Sequence, residues 1–471
     1  MKLRKHIFTL ALAVILILSI STGTFAADTN GINVLYNGNK ISFSDVTPVS
    51  QNGRTYVPFR ALFEAMGATV DYNDATKTVT ATLDGTTVTF VIGQNTMNIT
   101  TGGNTVTEQI DATPFIKNSR TLIPARFAAQ ALGFNVGWDQ GSKTVLILDT
   151  KSLIEKGSYK FTLMDKLLDY SRQISQEPLA LSGSFDLSMN IKGDPSNTDI
   201  ASDIPITMKG TIDGITSEKV TNMDIAMAMD ISSILSNSST DLSSAVILQA
   251  YNQQLKNIKV EYIVNLETGK LYMRSPLFSL FFGVAADAWL LYDINEMLSE
   301  SGTNISLNSL LDMSTNDISF DKYLPTILNM TPITNKDDYD DMISMVNMVG
   351  AAFSDQSFAK SGNDYKTTYS DNQDGDSFTL NMTISTQNDK VTGYNLDIKV
   401  GIQQSGSLNL TCSMDNNNMI LNLTSSFPDS MDMDFDINAK YSNTTKIPDG
   451  APPTGSVIIP IDQLTTDQTL E

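Results

Sequence analysis

The sequence predicts an α+β protein: a small tandem-repeat β/α domain followed by a large, mainly antiparallel β domain with a few helices in its concavity. Two observations predict it. Residues 54–80 and 120–146 are one stretch written twice, without a gap, at an offset of 66. From Leu179 onward, apolar and polar residues alternate over long runs, the period of a strand with one apolar and one solvated face.

The two copies read RTYVPFRALFEAMGATVDYNDATKTVT and RTLIPARFAAQALGFNVGWDQGSKTVL. Pro58 and Pro124 stand where a helix begins, since a missing N–H costs nothing at the first helical position. Leu62, Phe63 and Met66 form one apolar helix face, and Gly67 and Gly133 stop the helices as left-handed residues. Val70-Asp71-Tyr72 opens a strand, Asn73-Asp74 turns, and Val79–Leu83 alternates as the next strand. Asp84-Gly85 suits a tight hairpin before Val88–Ile92. One copy buries little; two can share a core. Arg60 and Arg126 recur at one position, either as a ligand-reading pair or as structural ion pairs. Glu64 is one candidate partner, but Gln130 replaces it in the second copy, so Asp71 and Asp139 are expected to take the guanidinium forks. On that reading, losing Arg126 lowers thermal stability and alters no binding.

The segments VPFRALFEAMGATVDYN and IPARFAAQALGFNVGWD resemble the copper amine oxidase N-terminal-like domain, or stalk domain, of secreted Gram-positive bacterial proteins. The resemblance spans about residues 32–148, as repeats at about 32–92 and 98–148, and rests on Pro58, Arg60, Gly67, Pro124, Arg126, Gly133 and Trp138. It implies a small antiparallel sheet packed on a helix, serving as an accessory module and not a catalytic one. Phe59 and Ala125 depart from the usual Leu, and Tyr72 stands where Trp138 stands in the second copy.

Residues 1–26 read as a secretory signal. Lys2, Arg4 and Lys5 precede the apolar run Ile7–Ile20, and Thr24 and Ala26 occupy the −3 and −1 positions of a cut before Ala27. The apolar run is shorter than the ~20 residues of a spanning helix, and no later segment is long and apolar enough. Residues 151–178 read as a helical connector through Phe161, Met164, Leu167, Leu168 and Ile174. Residues 179–445 carry the alternating strands, among them Phe185–Ile191, Met223–Ile231, Tyr394–Ile402 and Met431–Ala439, with helical candidates at 243–255 and 337–353. The Trp289–Asp293 segment before a short helix gives this part a pattern similar to bacterial lipoprotein-carrier folds. Residues 446–471, rich in Pro, Thr and Asp, are expected to be a flexible tail.

The formal net charge is −21, and nearly all the excess lies after residue 150. Such a surface repels nucleic acid and anionic headgroups. His6, the single histidine, sits inside the signal, so the mature chain lacks the imidazole donors of type-2 copper, of Ser-His-Asp and Cys-His catalysis and of His-bound zinc. No Asn-Tyr pair exists to supply a quinone cofactor. Cys412 alternates with Leu408, Leu410 and Met414 and reads as an inert, core-facing thiol. The abundant Met residues read as core filling, or more sharply as the lining of an apolar pocket. No EF-hand register fits Asp371–Asp376, since Gly375 at the invariant glycine puts Asn381 where a bidentate Glu is needed; a hairpin turn at Asp374-Gly375 fits instead.

These readings converge on a secreted or cell-envelope-associated, non-enzymatic scaffold or binding protein. It has no catalytic residue, metal or cofactor, and its partners are cell-wall components or another envelope protein. The alternative is a carrier of a lipid or other apolar ligand in the concave β domain. A third reading, a carboxylate-dependent hydrolase, requires an Asp/Glu pair about 5–10 Å apart in a cleft.

Overall fold

The computed structural model describes residues 31–464, apart from 176, 194–202, 231–251, 301–306, 308–317, 329–330, 374, 404, 416 and 429. The signal over 1–26 with its cut after Ala26, and most of the helix expected at 243–255, lie outside the described residues. Two compact units emerge: a repeat unit containing residues 31–159 and 321–350, and a sheet unit containing 160–320 and 351–464.

In the repeat unit the first copy supplies β1 (Asn33–Tyr36), β2 (Asn39–Lys40), β3 (Val49–Gln51), β4 (Arg54–Pro58), helix α1 (Phe59–Ala65), β5 (Thr69–Asn73) and β6 (Thr78–Leu83). A hairpin extension follows as β7 (Thr86–Val91), β8 (Thr96–Thr101) and β9 (Asn104–Gln109). The second copy supplies β10 (Phe115–Lys117), β11 (Arg120–Pro124), α2 (Ala125–Gln130), β12 (Asn135–Asp139) and β13 (Thr144–Leu148), and α3 (Thr150–Lys156) closes the run. The copies meet through β4 and β11, antiparallel, with Val57 opposite Ile123. Those two positions are themselves related by the offset of 66, so a local two-fold axis passes between them. Both helices share one core: Leu62 and Phe63 from α1, Met66 just after it, and Ala128 and Ala129 from α2 pack with Val79, Phe90, Val145 and Ile147.

The helix ends follow the sequence closely. Gly67 N–H reaches Glu64 O at 3.0 Å and Ala68 N–H reaches Phe63 O at 2.9 Å. Gly133 and Phe134 repeat the pattern at Gln130 O and Ala129 O, with both glycines at positive φ, the paired bonds that close a helix C-terminus. Pro58 and Pro124 sit one residue before the expected place. They end the strands and precede the first helical residue, where their fixed φ near −60° suits the strand-to-helix corner. Asp84 and Gly85 both take positive φ, the tight hairpin turn expected there.

The helix expected at 337–353 was assigned to the large β domain; its residues up to 350, with 321–336 before them, belong to the repeat unit instead. Asn135 Nδ2 donates to Thr331 O at 2.9 Å, and the helix Lys336–Phe353 places Tyr339 with no exposed surface. The Tyr339 hydroxyl donates to Ile147 O at 2.9 Å and accepts from Gly38 N–H at 2.8 Å. The physical reason lies in β13, which is buried on both faces. Val145 and Ile147 enter the shared core, so Leu146 and Leu148, fully buried on the other face, need a second cover.

The sheet unit opens with α4 (Thr162–Ser175). It continues as β14 (Leu179–Ile191), β15 (Ile204–Thr216), β16 (Val220–Asp230), β17 (Ile258–Asn265), β18 (Lys270–Arg274) and β19 (Trp289–Asp293). The second run is β20 (Ala359–Ser361), β21 (Asp364–Gln373), β22 (Asp376–Gln387), β23 (Lys390–Ile402), β24 (Gly406–Asp415), β25 (Asn418–Phe427), β26 (Met431–Asn443) and β27 (Ile458–Pro460). Together they make one sheet in the order β20 to β26, then β14 to β19, then β27; all neighbours are antiparallel except β19 and β27. Two meanders are thus joined by the pairing of β14 with β26. Gln373 opposite Asp376 gives the two-residue connection expected at Asp374-Gly375, with Asp374 itself outside the described residues. The connector α4 lies on β23, where Lys166 pairs with Asp389 at 2.6 Å and Tyr170 Oη donates to Thr392 O at 3.3 Å.

The tail differs from its expectation. Up to residue 464 it folds back along the sheet instead of running free: Asn265 Nδ2 donates to Gly450 O at 2.9 Å, and Ile458–Pro460 pairs in parallel with Trp289–Leu291. An open β19 edge would leave Trp289 and Leu290, both buried, beside a row of unpaired backbone groups.

Candidate functional site

The local two-fold axis of the repeat unit generates two clefts. In the first, Arg120 of the second copy forks onto Asp45 of the first, with Nε at 3.1 Å. In the other, Arg54 forks onto Asp111, with Nε at 3.0 Å from each carboxylate oxygen. Asp45 and Asp111 are again 66 residues apart, so each copy lends its arginine to the other's carboxylate. These forks hold both carboxyls below their usual range. All four side chains are about half exposed, so the forks fix geometry more than they stabilise.

The forks expected at Arg60 and Arg126 are therefore made by Arg54 and Arg120. Arg60 pairs instead with Glu64, Nη1 to Oε1 at 3.7 Å, one turn along the exposed face of α1. Asp139 is occupied in its own turn, accepting from Gly141 N–H at 2.9 Å and Ser142 Oγ at 2.6 Å. Among the described residues Arg126 forms no ion pair. Its cleft, about 270 Å³, is lined by Ser50, Arg54, Thr55, Asp111, Arg126, Trp138 and Gln140. The first-copy cleft is lined by the equivalents Arg120, Thr121, Asp45, Arg60, Tyr72 and Asp74.

The sheet unit presents a second site. One row of side chains crosses it as Met229, Met208, Leu187, Phe435, Leu423, Leu410, Ile398 and Leu380, each opposite the next on a neighbouring strand. Cross-strand partners share a face. At the β22–β24 end this face is buried: Leu380, Ile398 and Leu410 are all under a tenth exposed. Across β26, β14, β15 and β16 it is only half-buried, and there it carries Met189, Met208, Met227, Met229, Met431 and Met433 with Phe185 and Phe435. The two phenyl rings meet edge-on at 6.4 Å. Gly210 leaves room for Phe185, since a Cβ there would lie 2.6 Å from its ring.

The opposite face is polar. Lys209 pairs with Asp186 at 2.6 Å, and Asp186 stands opposite Asp436, which accepts from Asn422. Farther along, Asp213, Asp224 and Glu261 stand in one row that ends at Arg274, whose guanidinium binds Glu261 at 2.6 Å and covers the Trp289 ring at 4.8 Å. Asp213 and Asp224 are the paired acids the hydrolase reading asks for, yet both are exposed on a solvated face. Partial burial, then Glu261 and Asp213, push the Asp224 carboxyl up. A raised folded-state value means ionised Asp224 opposes folding at neutral pH and stops doing so as pH falls through that value. Asp224→Asn is therefore expected to raise the melting temperature slightly at pH 7, with the gain shrinking toward pH 4. Thermal melts at both pH values check this, and a lower melting temperature at pH 7 contradicts it.

Cys412 is half-buried in β24, its Sγ 4.0 Å from Tyr394 Oη, and burial pushes the thiol up, away from the thiolate a nucleophile needs. Among the described residues no group of acidic, Cys or His side chains is arranged to hold a metal ion. Alternation alone placed the methionines on one face. The cross-copy carboxylates Asp45 and Asp111 went unremarked in the sequence, although their offset of 66 marks them. No curated protein matches the chain. The family model of the copper amine oxidase N-terminal domain matches residues 35–147, the two copies and the axis between them, and so identifies this part of the repeat unit as that stalk-type domain.

Proposed function

We propose that this chain is a secreted or cell-envelope-associated, non-enzymatic binding protein. Its stalk-type domain serves attachment to cell-wall components or another envelope protein, and its sheet unit carries a lipid or other apolar ligand. One observation carries the second half: the half-buried face built from six methionines and two phenylalanines on β14–β16 and β26. Met side chains adapt their shape at little cost and suit apolar ligands of variable form. The signal-like segment at 1–26 supports export, and the long sheet with Trp289–Asp293 leading into the short helix Ile294–Glu300 fits the carrier pattern.

Native mass spectrometry of the gently purified chain tests this. An apolar adduct that dissociates on denaturation is expected, together with binding of a fluorescent fatty acid that Met208→Glu weakens. A clean unliganded mass and no fatty-acid binding would sink the carrier reading.

A further inference from the structure

The duplication contains its own control: one cleft built twice, with different charges. In the first copy Glu64 neutralises Arg60, and Lys77 pairs with Asp74 at 2.6 Å. In the second copy both acids are amides, Gln130 and Gln140, so among the described residues Arg126 keeps an exposed guanidinium that forms no ion pair, in a chain of net charge −21. Two further exchanges reshape the same cleft, and one contact fixes it. Trp138 replaces Tyr72, Ala125 replaces Phe59, and Gln140 accepts the Trp138 Nε1–H at 2.8 Å, which holds the indole in one orientation. Trp138 is half-buried, with Ser50, Thr55 and the Arg54–Asp111 fork around it. A fixed aromatic face, a free guanidinium and a ring of hydroxyl and carboxylate groups together match one chemistry. That chemistry is a six-membered ring with an apolar face, several hydroxyls and one anionic substituent.

We propose that the second-copy cleft binds an acidic saccharide, its carboxylate on the Arg126 guanidinium and its ring on the Trp138 indole. The first-copy cleft, where Glu64 pairs with Arg60 and Asp74 with Lys77, does not. This deepens the attachment role proposed for the stalk-type domain and rests on it for the compartment. It owes nothing to the apolar ligand of the sheet unit.

Calorimetric titration of the full-length chain lacking only its signal tests this, with three probes: a tetragalacturonate, a neutral tetrasaccharide of glucose, and inorganic phosphate. The acidic tetrasaccharide is expected to bind, more weakly as salt rises, and at least about tenfold more tightly than either other probe. Arg126→Gln and Trp138→Ala are each expected to weaken it about tenfold or more, and Arg126→Lys by less than Arg126→Gln, while Arg60→Gln changes nothing. Arg126 is exposed and forms no ion pair among the described residues, so Arg126→Gln should melt with the parent. Equal binding of the neutral sugar, equal binding of phosphate, an equal loss in Arg60→Gln or no binding of the acidic probe would each overturn the proposal. Such a failure would leave attachment itself to be judged separately, by co-sedimentation of the chain with insoluble cell-wall material.

Discussion

Tyr339→Ala is expected to destabilise the repeat unit by about 3–5 kcal/mol, the range for deleting a fully buried aromatic side chain. The ring has no exposed surface, and its hydroxyl lies between two strands, donating to Ile147 O on β13 and accepting from Gly38 N–H beside β1. β1 and β13 form the parallel pair through which the start of the first copy meets the end of the second. Removing Tyr339 therefore opens a cavity at that junction and leaves the Gly38 N–H without this partner. Tyr339→Phe separates the two effects, since the ring stays and only the hydroxyl goes. Ile147 O keeps a bond from Asn37 N–H at 3.1 Å and Gly38 is exposed to water, so the loss is that of one ordinary hydrogen bond, about 0.5–1.5 kcal/mol. Calorimetric melts of the full chain should show the transition falling in the order parent, Phe, Ala. An alanine variant that melts with the parent would mean that the helix Lys336–Phe353 contributes nothing to holding the repeats.

That helix also shows what was legible in the sequence and what was not. Its existence was readable, since apolar residues recur at helical spacing through Met342, Met345, Val346 and Val349, all buried in the structure. Its place was not read, because strand alternation after Leu179 assigned everything downstream to one large domain. Yet a signal was present. In the first copy the outward positions of β6 are Thr80 and Thr82; in the second, the same positions are Leu146 and Leu148. Two threonines suit water, and two leucines on a would-be solvated face call for a cover. Comparing copies for their differences would have found it.

The candidate sites divide in the same way. Helix stops at Gly67 and Gly133 and the hairpin at Asp84-Gly85 follow from local backbone chemistry, which one residue and its neighbours decide. The Arg54–Asp111 and Arg120–Asp45 forks join residues 57 and 75 positions apart, and only the register of β4 on β11 brings them together. Guanidinium partners were sought within one copy, when the two-fold axis exchanges them between copies. The methionine face fell between these cases. Period 2 put Met223, Met227 and Met229 on one side, but how deeply that side is buried depends on tertiary packing that alternation does not encode.

Ending the chain at Lys446 is expected to cost about 2–6 kcal/mol and to make the protein self-associate. The segment beyond Lys446 is tied down at three strands. Asn222 on β16 brackets Asp449 once its side-chain amide is turned so that both groups bond, its Nδ2 donating to Asp449 O at 2.7 Å and its Oδ1 accepting from Asp449 N–H at 3.0 Å. Asn265 on β17 donates to Gly450 O at 2.9 Å, so closely that a Cβ on Gly450 would sit 2.7 Å from its Nδ2. Trp289 N–H on β19 donates to Val457 O at 2.9 Å, ahead of the parallel pairing of Ile458–Pro460. Four hydrogen bonds at a net of about 0.5–1.5 kcal/mol each give the estimated range before any ladder bond of β27 is added. The truncation also bares β19 as an edge beside buried Trp289 and Leu290, a template onto which a second chain can pair. Asn265→Ala alone should show a fraction of the loss without opening the edge, which separates the lock from the cover. Size-exclusion chromatography and melting of the two variants read the outcome. A truncated chain that elutes and melts with the parent would show that β27 merely rests on the sheet; early melting with larger species would show that it seals the edge.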